Sequence, residues 1–178
     1  MSDPSDVLGV LGFGLAALSL TWQVAVWRLA PGRARCLLLH GALNAYGGVS
    51  GPVGKDGKPR TADLELSAAQ GYGGAEVLGI EVHNVGRAPL KVTSYSAVIE
   101  GTGISLSPMG DAVGPDLPHT IDPGDSAQWW SHMTSIKEAA WVAYEGRVPT
   151  TARAHMKITT AQRQEARTPH AIRLTPPG

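Results

Sequence analysis

The residues of this chain that could do chemistry are six histidines, one cysteine and a modest set of carboxylates. The histidines are His40, His83, His119, His132, His155 and His170. None of them stands at zinc-binding spacing from another His, Cys, Asp or Glu. The sequence also lacks a nucleophile elbow, a P-loop and a dinucleotide fingerprint. We therefore predict no catalytic residue, no cofactor and no metal site.

An enzyme remains an alternative, because a fold can bring distant titratable residues together. Its candidate residues are His83, His119, Asp122 and His132. General acid–base partners must come within hydrogen-bond reach, so this alternative requires these side chains to meet in the structure. The single cysteine, Cys36, could be activated by the adjacent Arg35, but a buried strand position is the interpretation we favour.

Composition bounds the size of the domain and the kinds of partner. The 178 residues contain 15 Lys and Arg against 15 Asp and Glu, so no overall charge attracts nucleic acid. One cysteine excludes an intramolecular disulfide. The 22 glycines and 13 prolines divide short apolar runs, as strands joined by turns would require. We expect one domain, mainly β, with no specific nucleic-acid partner.

The N-terminal segment from Val7 to Trp27 contains no charged residue. As a helix these 21 residues would cross a hydrocarbon core of about 30 Å. Arg28, Arg33 and Arg35 follow, whereas no basic residue precedes. The positive-inside rule then predicts a single-pass protein of the cell membrane, with the N-terminus outside and the domain in the cytoplasm. A cleaved signal peptide conflicts with the acidic start, and a helix buried in a soluble assembly is the other alternative.

One face of this helix carries small or polar residues at steps of three and four. They are Gly9, Gly12, Ala16, Ser19 and Gln23. Such a face lets a second helix approach closely and form hydrogen bonds through the glutamine. We predict helix–helix contact here, and with it a homo-oligomer, although Gly and Ala are also common in membrane helices for other reasons.

Alternating and uninterrupted apolar runs predict strands in the remainder of the chain. We expect them at Arg35–Leu43, Leu64–Ala68, Glu76–His83, Leu90–Ile99, Gly101–Leu106, Ala127–Met133 and Arg153–Thr160. A slip in the alternation within Leu90–Ile99 predicts a bulge or a kink. The Gly- and Pro-rich segment 44–63 is either a mobile loop or a long hairpin. Ser135 and Glu138 match a capping box and predict one short helix from Ile136 to about Tyr144.

These elements predict a mainly β fold: an N-terminal transmembrane helix followed by an antiparallel, immunoglobulin-like β-sandwich with one short helix. The expected divisions are an anchor over residues 1–32, the sandwich over 33–168 and a flexible tail over 169–178.

The segments EVHNVGRAPLKV and LPHTIDPGDSAQW carry a family resemblance. They resemble the turns that link core strands in immunoglobulin-like domains of bacterial surface and membrane proteins. The whole chain looks like small actinobacterial or actinophage membrane proteins with one N-terminal helix. The resemblance implies a fold and no catalytic residue. It also implies an outward-facing domain, whereas the arginines after the helix predict an inward one.

Two features of the domain could form a partner surface. Trp129 and Trp130 are adjacent, so one side chain points away from the core, and we consider Trp130 either a contact for a partner or a residue covered by the short helix. Arg153, His155 and Lys157 form a basic strand face that could meet anionic headgroups or only keep the domain soluble.

We therefore expect a non-enzymatic, membrane-anchored interaction module that binds the lipid bilayer and a protein of unknown identity. An assembly component of a phage or cell envelope, oligomerising through its helix, is the alternative.

Overall fold

The computed structural model describes residues 4–29, 32–45, 47–59, 64–108 and 113–174, and in the N-terminal helix it describes the side chains of residues 12–25. Helices are few within these ranges. They are α1 (Pro4–Leu29), α2 (Leu64–Ser67), which continues into a π-helical turn (Ala68–Tyr72), and α3 (Met133–Ala143).

Strands form most of the remaining described chain. They are β1 (Ala34–Asn44), β2 (Gly47–Pro52), β3 (Ala75–Asn84), β4 (Leu90–Ile99), β5 (Ser105–Leu106), β6 (His119–Ile121), β7 (Ser126–His132), β8 (Arg153–Thr160), β9 (Glu165–Arg167) and β10 (Ile172–Arg173). One sheet has the order β2-β1-β3-β7. The second has the order β10-β8-β4-β5, with β6 also paired to β4 and β9 to β8. Every pairing is antiparallel, as the sequence predicted.

The two sheets share one hydrophobic core, and we call residues 34–174 the two-sheet domain. Leu78, Ile80 and Val82 of β3 alternate into this core from the first sheet, and Met156 and Ile158 of β8 enter it from the second. All five side chains are almost completely buried. Their period of two residues is the reason that both segments were identifiable as strands.

Strand β4 contains the irregularity that its sequence predicted. Its pairing with β8 shifts register between Val92 and Ser94, which leaves Thr93 as the extra residue. Val92 before the shift and Tyr95 after it are both buried. The bulge therefore returns the apolar residues to the core after a slip of one in the pattern.

Asn84, at the end of β3, connects three separate segments through its side chain. Its Oδ1 accepts hydrogen bonds from the backbone N–H of Arg33 (3.2 Å) and of Gly86 (3.0 Å). Its Nδ2 donates to the carbonyl oxygens of Ala88 (2.8 Å) and Ile121 (2.9 Å). The residue is 1% exposed. Both donors and both acceptor positions of this buried amide are thus used.

A turn also forms before β7, within the segment LPHTIDPGDSAQW that carries the family resemblance. Gly124 has a φ of +87°, and the N–H of Asp125 donates to the carbonyl oxygen of Asp122 at 3.0 Å. The backbone of Asn84 binds the same turn, because its N–H donates to Asp125 and its carbonyl accepts from Gly124. The turn therefore starts β7 beside β3, its partner in the sheet.

Two local predictions were wrong. The capping box is not used, because α3 begins at Met133, directly after β7, and His132 is its N-terminal flanking residue without a side-chain cap. Met133 and Ile136 are buried, so core packing sets the start of the helix. The segment Leu64–Ser67, predicted as a weak strand, is a short helix.

The end of the domain extends beyond the predicted boundary. Ile172 pairs with Ala154 of β8, and Leu174 is buried. The prediction of a flexible tail from residue 169 therefore fails as far as residue 174, and residues 175–178 lie outside the described residues. In segment 44–63 the long hairpin is the correct alternative, since β2 pairs with β1 from Gly47 onward.

The predicted transmembrane anchor requires correction. A span takes about 20 predominantly apolar residues, and no helix in the described part of the chain is both long and apolar enough to cross a membrane. The prediction of a single-pass membrane protein is therefore wrong, and with it the predicted localisation, with the N-terminus outside and the domain cytoplasmic.

We expect Asn84→Asp to destabilise the protein by about 3 to 5 kcal/mol at pH 7. The substitution replaces the donating Nδ2 with an oxygen that faces two carbonyl oxygens, and it buries a charge. Asn44→Asp is the matched control, because Asn44 is half-buried and its Nδ2 also donates to a carbonyl, that of Gly73. Urea denaturation of both variants measures the difference, and equal losses would contradict the role assigned to Asn84.

Candidate interaction surfaces

The predicted basic face of β8 is present with the predicted bounds. Its side chains alternate between buried and accessible positions, with Arg153, His155 and Lys157 on the accessible side. Across the strand pairings, Arg167 of β9 lies opposite Lys157, and Arg173 of β10 lies opposite Arg153. The neighbouring short strands therefore add cations to the same face.

Like charges directly opposite each other on a sheet destabilise the pairing by up to about 1 kcal/mol. Glu165 offsets one of these two pairs, since its Oε1 lies 2.8 Å from Nζ of Lys157. In the described part of the chain no carboxylate lies within 4.0 Å of Arg153 or Arg167. This face thus retains positive charge that the domain itself does not neutralise.

A cavity of about 260 Å³ opens beside this face, and we call it the basic groove. It is lined by Lys55, Glu100, Arg153, His155, Arg167, Thr168, Pro169, His170 and Ala171. Arg167 also borders two adjoining cavities, of about 440 and 690 Å³. The guanidinium-bearing residue of β9 therefore stands where three depressions of the surface meet.

His155 is a largely buried ionisable side chain of the groove, with 12% of its side chain exposed. Its Nδ1 lies 3.4 Å from Oε1 of Glu100 but forms no hydrogen bond of acceptable geometry among the described residues. Burial lowers its pKa below the ordinary value, Arg167 and Lys157 lower it further, and Glu100 acts in the opposite direction. The net effect of this environment is to favour the neutral imidazole.

Trp130 does not belong to an open partner surface. It is 7% exposed and packs with Leu39 and Val77 in a small cluster on the far side of the first sheet from the main core. Its ring lies over Gly79, where a Cβ atom would overlap it. The other predicted possibility, that the short helix covers Trp130, is also incorrect, because α3 packs into the main core with Trp129.

The predicted helix face lies on α1. Among the described residues, α1 makes no extensive contact with any strand or helix of the two-sheet domain. Gly12, Ala16, Ser19 and Gln23 are all exposed, whereas the side-chain surroundings of Gly9 lie outside the described residues. Large apolar side chains around the helix are exposed as well, including Phe13 (78%), Leu18 (70%) and Trp22 (72%).

A charged network that the sequence did not reveal lies at one edge of the core. Nε2 of His40 donates to Oε1 of Glu76 (2.9 Å), and Nζ of Lys137 donates to Oε2 (2.8 Å). The imidazole hydrogen bond is the largest influence on Glu76, and the ammonium acts in the same direction. Together they outweigh burial and lower the pKa of Glu76 from 4.5 to about 2.

The four residues of the enzyme alternative do not come together. In the described part of the chain no hydrogen bond or ion pair joins any two of His83, His119, Asp122 and His132. His83 lies 3.4 Å from Glu81, and the ring of His119 meets Trp129 edge-on. The described residues also contain no group of three His, Cys, Asp or Glu that could hold a metal ion.

Cys36 is a buried strand residue, as we favoured. It lies in β1 among the core side chains, and burial raises its pKa to about 11. A thiol with such a pKa is almost wholly protonated at pH 7 and is a poor nucleophile.

Comparison with known proteins adds no identification. No protein-family model matches the sequence, and no curated protein matches it.

The Glu76 network makes stability depend on acid pH. A carboxyl whose pKa is lowered by folding stabilises the fold fully above its ordinary pKa of 4.5, and this contribution is lost as the pH falls toward 2. We expect Glu76→Gln to flatten the decline of the melting temperature over this range. Glu138→Gln, an exposed change on the same helix as Lys137, should retain it. A decline of unchanged steepness in Glu76→Gln would refute this assignment.

Proposed function

We propose that this chain is a non-enzymatic interaction module that assembles with its own copies through α1 and displays the two-sheet domain. The observation that carries the proposal is the exposure of large apolar side chains along both flanks of the small-residue face of α1. A helix with this much uncovered apolar surface needs other surfaces to cover it. Exposed apolar patches larger than a few hundred Å² mark association sites in most proteins.

A second copy is the occupant that the helix itself favours. The described segment 12–25 has no charged side chain, so two copies do not repel each other there. Gly12, Ala16 and Ser19 lie within about 60° of one another around the axis, at 3.6 residues per turn. A surface of small residues permits close backbone approach, and the same surface on both copies can pair with itself.

The energy available from such a contact is sufficient in magnitude. Leu15, Leu20 and Trp22 flank the small residues and are 69%, 63% and 72% exposed. Burial of a large apolar side chain contributes about 1.5 to 3 kcal/mol, so six from two copies contribute roughly 9 to 18 kcal/mol. That is of the order of the association cost, about 4 to 15 kcal/mol.

We also propose a specific fold, the immunoglobulin-like sandwich, and a family for this chain. Two antiparallel sheets around one core, with the Asn84 and Asp122–Asp125 turns at their ends, support an immunoglobulin-like sandwich. On the turn sequences alone we propose kinship with domains of bacterial surface proteins or actinophage proteins. An envelope- or phage-associated assembly would use the exposed helix as its contact.

The test is the oligomeric state of the full chain by sedimentation equilibrium. We expect the combined change Gly12→Leu and Ala16→Leu to raise the dissociation constant at least about tenfold, because bulk at these positions separates the helices. The matched control is Gly14→Leu with Ala17→Leu, which makes the same exchanges on the opposite face. Neither Gly12 nor Gly14 has an atom within 4 Å of a new Cβ, so both variants fit the fold.

A wild-type chain that stays monomeric up to about 100 µM would overturn the proposal. Equal weakening by both pairs of substitutions would overturn the role of the small-residue face.

A further inference from the structure

The basic groove carries more positive charge than its own carboxylate balances. Lys55, Arg153 and Arg167 contribute three positive charges, and Glu100 contributes one negative charge, which leaves +2 from these four side chains. Glu165, which borders the adjoining cavity, is already bound to Lys157. The whole chain has a net charge of zero, so this excess is a local feature of one face.

We propose that the basic groove binds the phosphate group of a small phosphorylated molecule, with Arg153, Arg167 and Lys55 as its charged ligands. A phosphate monoester carries a charge of about −1.5 to −2 at pH 7, which matches the excess in the groove. A single carboxylate would leave one positive charge unbalanced. Guanidinium groups also bind phosphate oxygens in pairs, with donors in a fixed fork.

The strand pairing supplies a second, independent reason. Arg153 and Arg173 are held opposite each other by the register of β8 and β10, and in the described part of the chain no carboxylate lies within 4.0 Å of either. An anion bound between Arg167 and Arg153 offsets this repulsion, so ligand binding and sheet pairing support each other. Ligand binding therefore stabilises the folded domain, by an amount that increases with the logarithm of ligand concentration above the dissociation constant.

The size of the groove favours a small molecule over a macromolecular segment. Its volume of about 260 Å³ is close to the lower limit of ordinary ligand pockets, about 300 Å³. The neighbouring cavities, joined through Arg167, leave room for the rest of the molecule. His155 also lines this groove.

The test is calorimetric titration of the full chain with inorganic phosphate and with glycerol 3-phosphate, against chloride at equal ionic strength. We expect both phosphates to bind, and Arg167→Gln and Arg153→Gln each to raise the dissociation constant about tenfold. Arg87→Gln is the matched control. It removes the same charge from an exposed turn outside the groove, and we expect a change below about twofold. Circular dichroism of each variant verifies that it is folded.

Three results would overturn the proposal. The first is no binding beyond that of chloride, and the second is equal weakening by Arg87→Gln, which would indicate general charge attraction. The third is binding of a phosphoserine peptide that is at least about tenfold tighter than binding of glycerol 3-phosphate. That result would assign the groove to a phosphoprotein partner. None of these results depends on the oligomeric state, so the proposals about α1 and about the groove fail or stand separately.

Discussion

The buried carboxamide of Asn84 fixes the relative positions of chain segments that are far apart in the sequence. It binds Arg33, where the chain enters β1, and Ile121, at the end of β6. The first sheet contains β1 and the second contains β6, so one side chain connects both layers. A hydroxyl or carboxylate offers a different set of donors and acceptors, and therefore few residues could replace this amide. The apolar core determines that the sheets pack, and Asn84 determines how their ends meet.

The repeating pattern of apolar residues identified those strands that are long enough to contain several repeats of it. The five longest strands contain alternating or continuous apolar runs, and even the bulge at Thr93 was visible as a slip in the pattern. Strands such as β9 and β10 have two or three residues, too few to show a period, and their pairing to β8 depends on the tertiary structure. The start of α3 was misplaced because burial of Met133 outweighs the local capping signal of Ser135.

The candidate surfaces were predictable only where their residues belong to one strand. Arg153, His155 and Lys157 alternate along one strand, so their common face followed from the sequence. Arg167 and Lys55 reach the same groove from other parts of the chain, and no local pattern relates them. The network of Glu76 joins residues separated by 36 and 61 positions, and the covering of Trp130 by distant side chains is equally non-local. The sequence did not reveal these groupings because their residues are far apart along the chain.

The attachment of Arg33 to Asn84 has a further consequence for the geometry of an assembly. Leu29 ends α1, and four residue steps later the backbone is fixed to the two-sheet domain. A chain of four steps spans at most about 14 Å. Copies joined through α1 would therefore hold their domains as close neighbours, at an effective local concentration far above that of free domains. A ligand with several phosphate groups could then bridge two grooves, and its overall strength of binding would reflect avidity rather than the affinity of one site.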